Sequence, residues 1–453
     1  MNTLQKRYGL LTAICMVVGI VIGSGVFFKA EDVLKETNGN MIEGVFAWII
    51  GGAIMLVLAS TFAVMATKYE KVGGLVDYAE ATCGKTYAYF VGWFLSVIYF
   101  PAMTAVLAWV SARYTMVAVF GYSSASEEAL FSSECITIAA FYLILAYFIN
   151  ALAPRLAGKI QVSTTIIKLI PIAFIALVGT VIGAVNGTMS NNISFSGVTD
   201  GSGNGTFAAL SCAAFAYEGW IIATSINAEI KNAKRNLPIA LFVGSLITIA
   251  AYVLYYIGVL GLEDSDVLMT EGTTVAFRYF GDGIATVINF LIIVSCLGTL
   301  NGLMLATTRS TYALSIRNEG LNPKVFSQVD RETNMPSNSA AFGLLLCAVW
   351  FIYFIGGQFF AWFGKYAFDS SELPVITIYP MYLPILIRYI IKERELNIFK
   401  RFVLPSLSII GVGIMIAASI FRHGISNVWY LIVFAIIMLI GYIIYLFNKS
   451  VAA

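Results

Sequence analysis

The 453-residue sequence is poor in charge. Only 11% of its residues are Asp, Glu, Lys or Arg, against roughly 25% in a soluble domain. Histidine is almost absent, with His423 alone. The six cysteines (Cys15, Cys83, Cys135, Cys212, Cys296 and Cys347) stand singly, without a CxxC pair. So little charge excludes a disordered chain and an ordinary soluble domain. One histidine and scattered thiols leave no spacing for a zinc, haem or iron–sulfur site, nor for a disulfide framework. No metal and no cofactor is expected. Neither sign of charge dominates, because 27 basic and 25 acidic residues leave +2. Nucleic acid is therefore not an expected partner. The first apolar run, Gly9 to Phe28, also lacks the small-x-small site of a cleaved signal peptide.

What is abundant is apolar: 59% of residues are hydrophobic, and the mean hydropathy is +0.85. A helix needs roughly 20 apolar residues to cross the hydrocarbon core. Read that way, the chain predicts an all-α, multi-pass membrane protein with twelve spans. They cover 9–34, 42–67, 86–119, 131–150, 160–184, 206–229, 237–260, 283–316, 338–356, 370–391, 402–421 and 427–447. The third and eighth are longer than a bilayer requires and should tilt or project. Lys and Arg gather in alternate loops. Arg155 and Lys159, then Lys231, Lys234 and Arg235, then Arg317, Lys324 and Arg331, and finally the run from Arg388 to Arg401 fall on one side. The other side carries few: Lys29, Lys35, Arg278, Lys365 and Arg422. The bias puts both termini in the cytoplasm of a cell membrane. The loop 185–205, rich in Gly, Ser and Asn, reads as a flexible external connection. Its triplet Asn186-Gly187-Thr188 matches a glycosylation acceptor, as polar loops often do by chance.

Two spans carry features that a plain membrane helix avoids. The first contains Gly19-Ile20-Val21-Ile22-Gly23-Ser24-Gly25-Val26-Phe27. Gly19 and Gly23 alone fit a small-x-x-x-small packing face. Gly23-Ser24-Gly25 goes further, lowering helix propensity by roughly 2 kcal/mol against alanine. Unwinding there would bare the N–H groups of the following half-helix, and with the positive end of its dipole they make a carboxylate site. The sixth span contains Phe215-Ala216-Tyr217-Glu218-Gly219-Trp220. An acid in so apolar a stretch is costly; it is either functional or held by a neighbouring helix. The two breaks occupy matching places in two sets of five spans, 9–184 and 206–391. Such matching breaks point to an inverted-repeat transporter, with 402–447 as a peripheral pair in a single domain, 1–453.

Lys168 is a third intramembrane polar residue, eight residues past the inner end of the fifth span and so about 12 Å deep along a helix. It either snorkels back to the interface or supplies a fixed ammonium where a coupling cation would otherwise bind. A buried amine could also carry the proton of a coupled step.

Three stretches resemble the amino acid–polyamine–organocation superfamily, in particular its L-type amino-acid transporter branch and bacterial relatives. One is Gly19 to Phe27. The second runs from Phe215 to Trp220 and on through Glu229-Ile230-Lys231-Asn232 and Asn236-Leu237-Pro238. The third is Asn301-Gly302 with Arg309, Tyr312, Arg317 and Gly320-Leu321-Asn322-Pro323-Lys324. The resemblance covers the first ten spans; hydropathy alone matches the last two. It implies a LeuT-like 5+5 fold with discontinuous helices 1 and 6, and an L-amino-acid substrate held between them. On that likeness, Val21, Ile22, Gly23, Ser24, Gly25, Phe215, Ala216, Tyr217, Glu218 and Gly219 form the substrate site. Ser24 and Gly25 would meet the carboxylate, and carbonyls of Val21, Phe215 and Glu218 the ammonium. Phe215 would be an inner gate. Lys168 would bridge helices 1 and 8 in place of sodium.

The chain departs from that pattern where Ile221 and Ile222 replace an asparagine and Glu218 an aspartate. Ile-lined, the pocket favours neutral substrates; a Glu218 side chain turned inward would favour cationic ones. Animal relatives pair with a single-span glycoprotein through a cysteine, but Cys135 falls in a different loop region, so no accessory subunit is evident. Sodium-independent exchange of small or medium neutral amino acids is the resulting expectation, with a proton-coupled or cationic transporter as the alternative. A channel would need a filter or a ring of charge, and an enzyme a catalytic cluster. Neither is visible.

Overall fold

The computed structural model describes residues 9–69, 74–121, 132–195, 205–223 and 230–452. Several sequence expectations lie outside them: loop residues 122–131, the glycine-rich 196–204, and the sixth span beyond Ala223 with Glu229. The described chain is all-helical, and ten helices are long and apolar enough to cross a membrane. It opens with two short helices, α1 (Leu10–Val21) and α2 (Gly25–Glu36). The long helices α3 (Met41–Lys68), α4 (Lys85–Phe120), α5 (Ser133–Leu152) and α6 (Pro154–Asn186) follow. A second short pair is α7 (Gly205–Tyr217) and α8 (Trp220–Ala223). Next come α9 (Ala233–Leu262), α10 (Asp282–Ser315), α11 (Ser337–Gln358) and α12 (Leu373–Lys392). The chain closes with α13 (Phe399–His423) and α14, which reaches at least Ser450 from Ser426. The two spans that sequence marks as overlong are α4, of 36 residues, and α10, of 34.

Local chemistry explains the irregular turns. Pro101 has no N–H to give the Val97 carbonyl, and the helix widens to a π-turn over Leu95–Tyr99. The indole of Trp350 donates to that freed carbonyl at 2.9 Å. Pro171 likewise withholds a donor from Ile167, and α6 is interrupted at Lys168. One segment of the expected flexible loop is ordered instead. Residues Thr188–Ser194 form a helix, because the buried Asn192 amide ties the chain to the carbonyls of Leu260 and Glu263. On α14, Leu431, Ile436, Leu439, Ile443 and Phe447 are all more than half exposed, as a lipid-facing side requires.

The chain divides into two compact units, and they are not its two sequence halves. One holds 1–85, 168–291 and 375–422; the other holds 86–167, 292–374 and 423–453. In the first unit, α9 packs against α3 and α1, and α7 against α2 and α3. Gly179 and Gly183 of α6 meet Gly258 and Gly261 of α9 so closely that any Cβ would strike backbone. In the second unit, α4 packs against α5 and α11. Its buried polar centre is Asn150, which donates to Asn301 at 2.9 Å, while Asn301 donates to Ala157 and Gln161.

Candidate functional site

The site lies in the first unit, where two helix breaks face each other. α1 winds as far as Val21, then Ile22 turns extended (φ −69°, ψ 105°). Gly23 and Ser24 bend the chain, and α2 starts at Gly25. Phe28 is the first amide to bond back, to the Ser24 carbonyl at 3.0 Å. The amides before it, at Gly25, Val26 and Phe27, have no preceding turn to pair with. α7 ends at Tyr217, and Glu218-Gly219 forms a turn before Trp220. Gly219 takes φ +108° there, a conformation that L side chains resist.

Gly25 explains how close the breaks come. A Cβ at that position would stand 2.5 Å from the Ala216 Cα. Only glycine lets the start of α2 rest on the backbone of α7. The hydroxyl of Tyr252, on α9, spans both breaks. It lies 3.1 Å from the Val21 carbonyl and 3.1 Å from the Ala216 carbonyl. Sequence reasoning missed Tyr252, because one tyrosine in an apolar span looks like core. Aromatic packing fixes its ring: Trp48 meets Tyr217 edge-on at 5.7 Å and Tyr252 at 5.6 Å. The Tyr217 hydroxyl donates to the Trp48 carbonyl at 2.9 Å.

Phe215 is nearly buried and stands edge-on to Phe28, with centroids 5.9 Å apart. Lys29 holds its ammonium 4.6 Å from the Phe28 ring centroid and 5.4 Å from that of Phe215. Asp32 pairs with it at 2.8 Å. Sequence counted Lys29 among the few basic residues of the outer side; the structure buries it, 2% exposed. The cation is tolerated because a carboxylate and two ring faces replace water.

Lys168 is also buried, and its ammonium donates to the Gly19 carbonyl, upstream of the first break. Glu218 is half-buried in its turn. Ser24 is buried, with no cap bond from its hydroxyl. Ile221 is buried beside Trp220, whose ring packs on Phe62 and Tyr382. The Ile222 side chain lies outside the described residues. Among the described residues no cluster of His, Cys, Asp and Glu could hold a metal.

Such an arrangement can hold a zwitterion. The amides that open α2 and the positive end of its dipole suit a carboxylate. Carbonyls ending α1 and α7 suit an ammonium. Those of Val21 and Ala216 share the single proton of the Tyr252 hydroxyl, and each carbonyl has a further lone pair to offer. A many-spanned helical chain with two facing helix breaks is a multi-pass membrane transporter. More narrowly, the chain belongs to the amino acid permease family, whose model matches residues 8–446. It is an amino-acid transporter. Over 352 residues it is 32% identical to the serine/threonine exchanger SteT of Bacillus subtilis, covering 77% of each chain. It is 26% identical over 457 residues to the b(0,+)-type amino acid transporter 1 of Mus musculus, covering 99% of this chain and 89% of that one. The human cystine/glutamate transporter is 26% identical over 337 residues, 74% of this chain and 65% of its own.

Proposed function

We propose that this protein exchanges small neutral L-amino acids across the cell membrane without sodium, by alternating access. Both termini are cytoplasmic, and twelve spans form two inverted repeats of five plus a peripheral pair. The observation that carries this reading is the contact of the two breaks at Gly25 and Ala216. Donors and acceptors there converge on one small zwitterion. Ser24 and Gly25 hold its carboxylate, and carbonyls near Val21, Phe215 and Glu218 hold its ammonium. Phe215 gates the site. Buried Ile221 favours an apolar or small side chain.

Sodium independence is supported by Lys168. Its ammonium occupies the Gly19 carbonyl, an oxygen of the kind a sodium ion would need. The name of the bacterial relative, a serine/threonine exchanger, supports exchange and small substrates. A cationic-substrate reading is favoured by one feature, the Glu218 carboxylate in the turn, whose oxygens are both buried.

The test is radiolabelled serine uptake by protein in liposomes. Vesicles loaded with unlabelled serine should fill several times faster than empty ones, equally in sodium and potassium. Equal filling of empty vesicles would overturn exchange, and a sodium requirement would overturn the role of Lys168. If arginine alone competes, the neutral assignment fails and the Glu218 reading stands.

A further inference from the structure

The second unit contains a cleft of about 880 Å3 that the transport reading does not use. It is formed where α5 ends and α6 begins (Leu152 to Leu156 and Lys159), by Arg309 on α10, and by the loop Glu332 to Met335. Three cations, Arg155, Lys159 and Arg309, reach it against a single carboxylate, Glu332. All three are exposed. Their side chains have no ion pair among the described residues. Two large apolar side chains flank them, Leu152 at 63% exposed and Leu156 at 48%.

We propose that this cleft binds a phospholipid with an anionic headgroup. The cations supply what a phosphodiester needs: Arg forks match paired phosphate oxygens, and Lys adds a point charge. The start of α6, Pro154 to Leu156, lines the cleft, so the positive end of that helix dipole lies at the same place. The apolar rim separates a lipid from a soluble anion. Leu152 and Leu156 lie beside the charges, so a ligand with acyl chains satisfies both, whereas inorganic phosphate leaves the leucines bare. The volume is that of a site for a medium-sized organic ligand, large enough for a glycerophosphate head. Basic pockets at helix ends near the membrane surface draw anionic lipids by the same electrostatics. Asn334, in the left-handed region at φ +55°, turns the loop over the cleft.

The experiment measures thermal unfolding of the purified full chain in detergent. The additives are short-chain phosphatidylglycerol, short-chain phosphatidylcholine, and sodium phosphate at equal concentration. Phosphatidylglycerol should raise the Tm saturably, and the other two should not. The variant Arg155→Gln/Lys159→Gln/Arg309→Gln should keep the lipid-free Tm and bind phosphatidylglycerol more weakly, by roughly fivefold for each cation removed. A control, Arg394→Gln/Lys400→Gln, removes exposed cations elsewhere and should respond like the unaltered protein. Should the triple variant fold poorly, Lys159→Gln alone should still weaken binding by roughly fivefold. The proposal falls if the cleft variants respond fully to phosphatidylglycerol. It also falls if phosphatidylcholine protects equally, or if inorganic phosphate does, which would mark a soluble-anion site.

Discussion

Tyr252 does more for the site than its hydrophobic surroundings suggest. Its ring is held by Trp48 and Tyr217, so Tyr252→Phe should keep the packing and lose only the hydroxyl. The carbonyls of Val21 and Ala216 would then lose the hydroxyl they share. Leaving buried polar groups unmet costs about 1–3 kcal/mol. The variant should therefore melt earlier and show a KM for uptake about tenfold higher. An unchanged KM would mean that the hydroxyl does not organise the breaks. Lys168 gives a second case. Lys168→Met keeps most of the side-chain volume and removes the charge from the Gly19 carbonyl. Uptake in potassium medium should drop at least about tenfold, as a lost hydrogen bond from a charged group, about 1.5–3 kcal/mol, implies. Full uptake would show that the ammonium is not needed for the cycle. Sequence located Lys168 because a charge in a lipid-soluble stretch stands out. It did not locate Tyr252, whose partners lie far away along the chain and become neighbours only once three helices have packed.

Helix breaks are readable when their cost is local. Gly23-Ser24-Gly25 and Glu218-Gly219 each weaken a helix by their own chemistry, so sequence alone marks them. What they do to each other is not local. Gly25 is needed because Ala216 stands against it, and nothing within ten residues says so. Gly25→Ala would drive a Cβ to 2.5 Å from the Ala216 Cα, where no side chain can swing away. The expected cost is about 1–3 kcal/mol of stability and most of the transport. Gly413→Ala is the matched control, since its Cβ would meet nothing within 4 Å. It should be neutral or stabilise by up to about 1 kcal/mol; equal harm from both would remove the case for a special contact. The loop Asp330 to Asn334 behaves as a small element too. Asp330 accepts the amides of Glu332 and Thr333 at 3.0 and 2.8 Å and the Thr333 hydroxyl. These bonds, the Thr333 amide first, hold its carboxyl below the usual range. A depressed carboxyl stabilises fully above its ordinary titration range and loses that contribution as pH falls through the lowered value. Hydrogen exchange of the Thr333 amide, corrected for its intrinsic rate, should stay slow down to about pH 4 and quicken only below it. In Asp330→Ala it should be fast throughout.

At the scale of the whole chain, hydropathy marked the long apolar helices, of which ten are long enough to cross a membrane among the described residues, but not how they group. Segments from both sequence halves enter each compact unit, and the grouping rests on contacts such as glycine against glycine that composition does not reveal. Alternating access leaves open whether contacts inside one unit part as substrate crosses. Thr61 and Ser408 test this within the first unit. They come from α3 and α13, both are buried, and their hydroxyls stand 2.8 Å apart. Side chains that close can be replaced by a cysteine pair with little backbone movement. In Thr61→Cys/Ser408→Cys, oxidation to the disulfide should leave exchange within about twofold of the reduced protein, because an interface that does not open during the cycle loses nothing when sealed. The single variant Thr61→Cys, which cannot form this bridge, controls for the oxidant acting on native thiols. If sealing the pair stops exchange while the single variant continues, α3 and α13 separate as substrate crosses. The moving element would then be smaller than the unit, and Phe215 with the two half-helices would have to supply the motion alone.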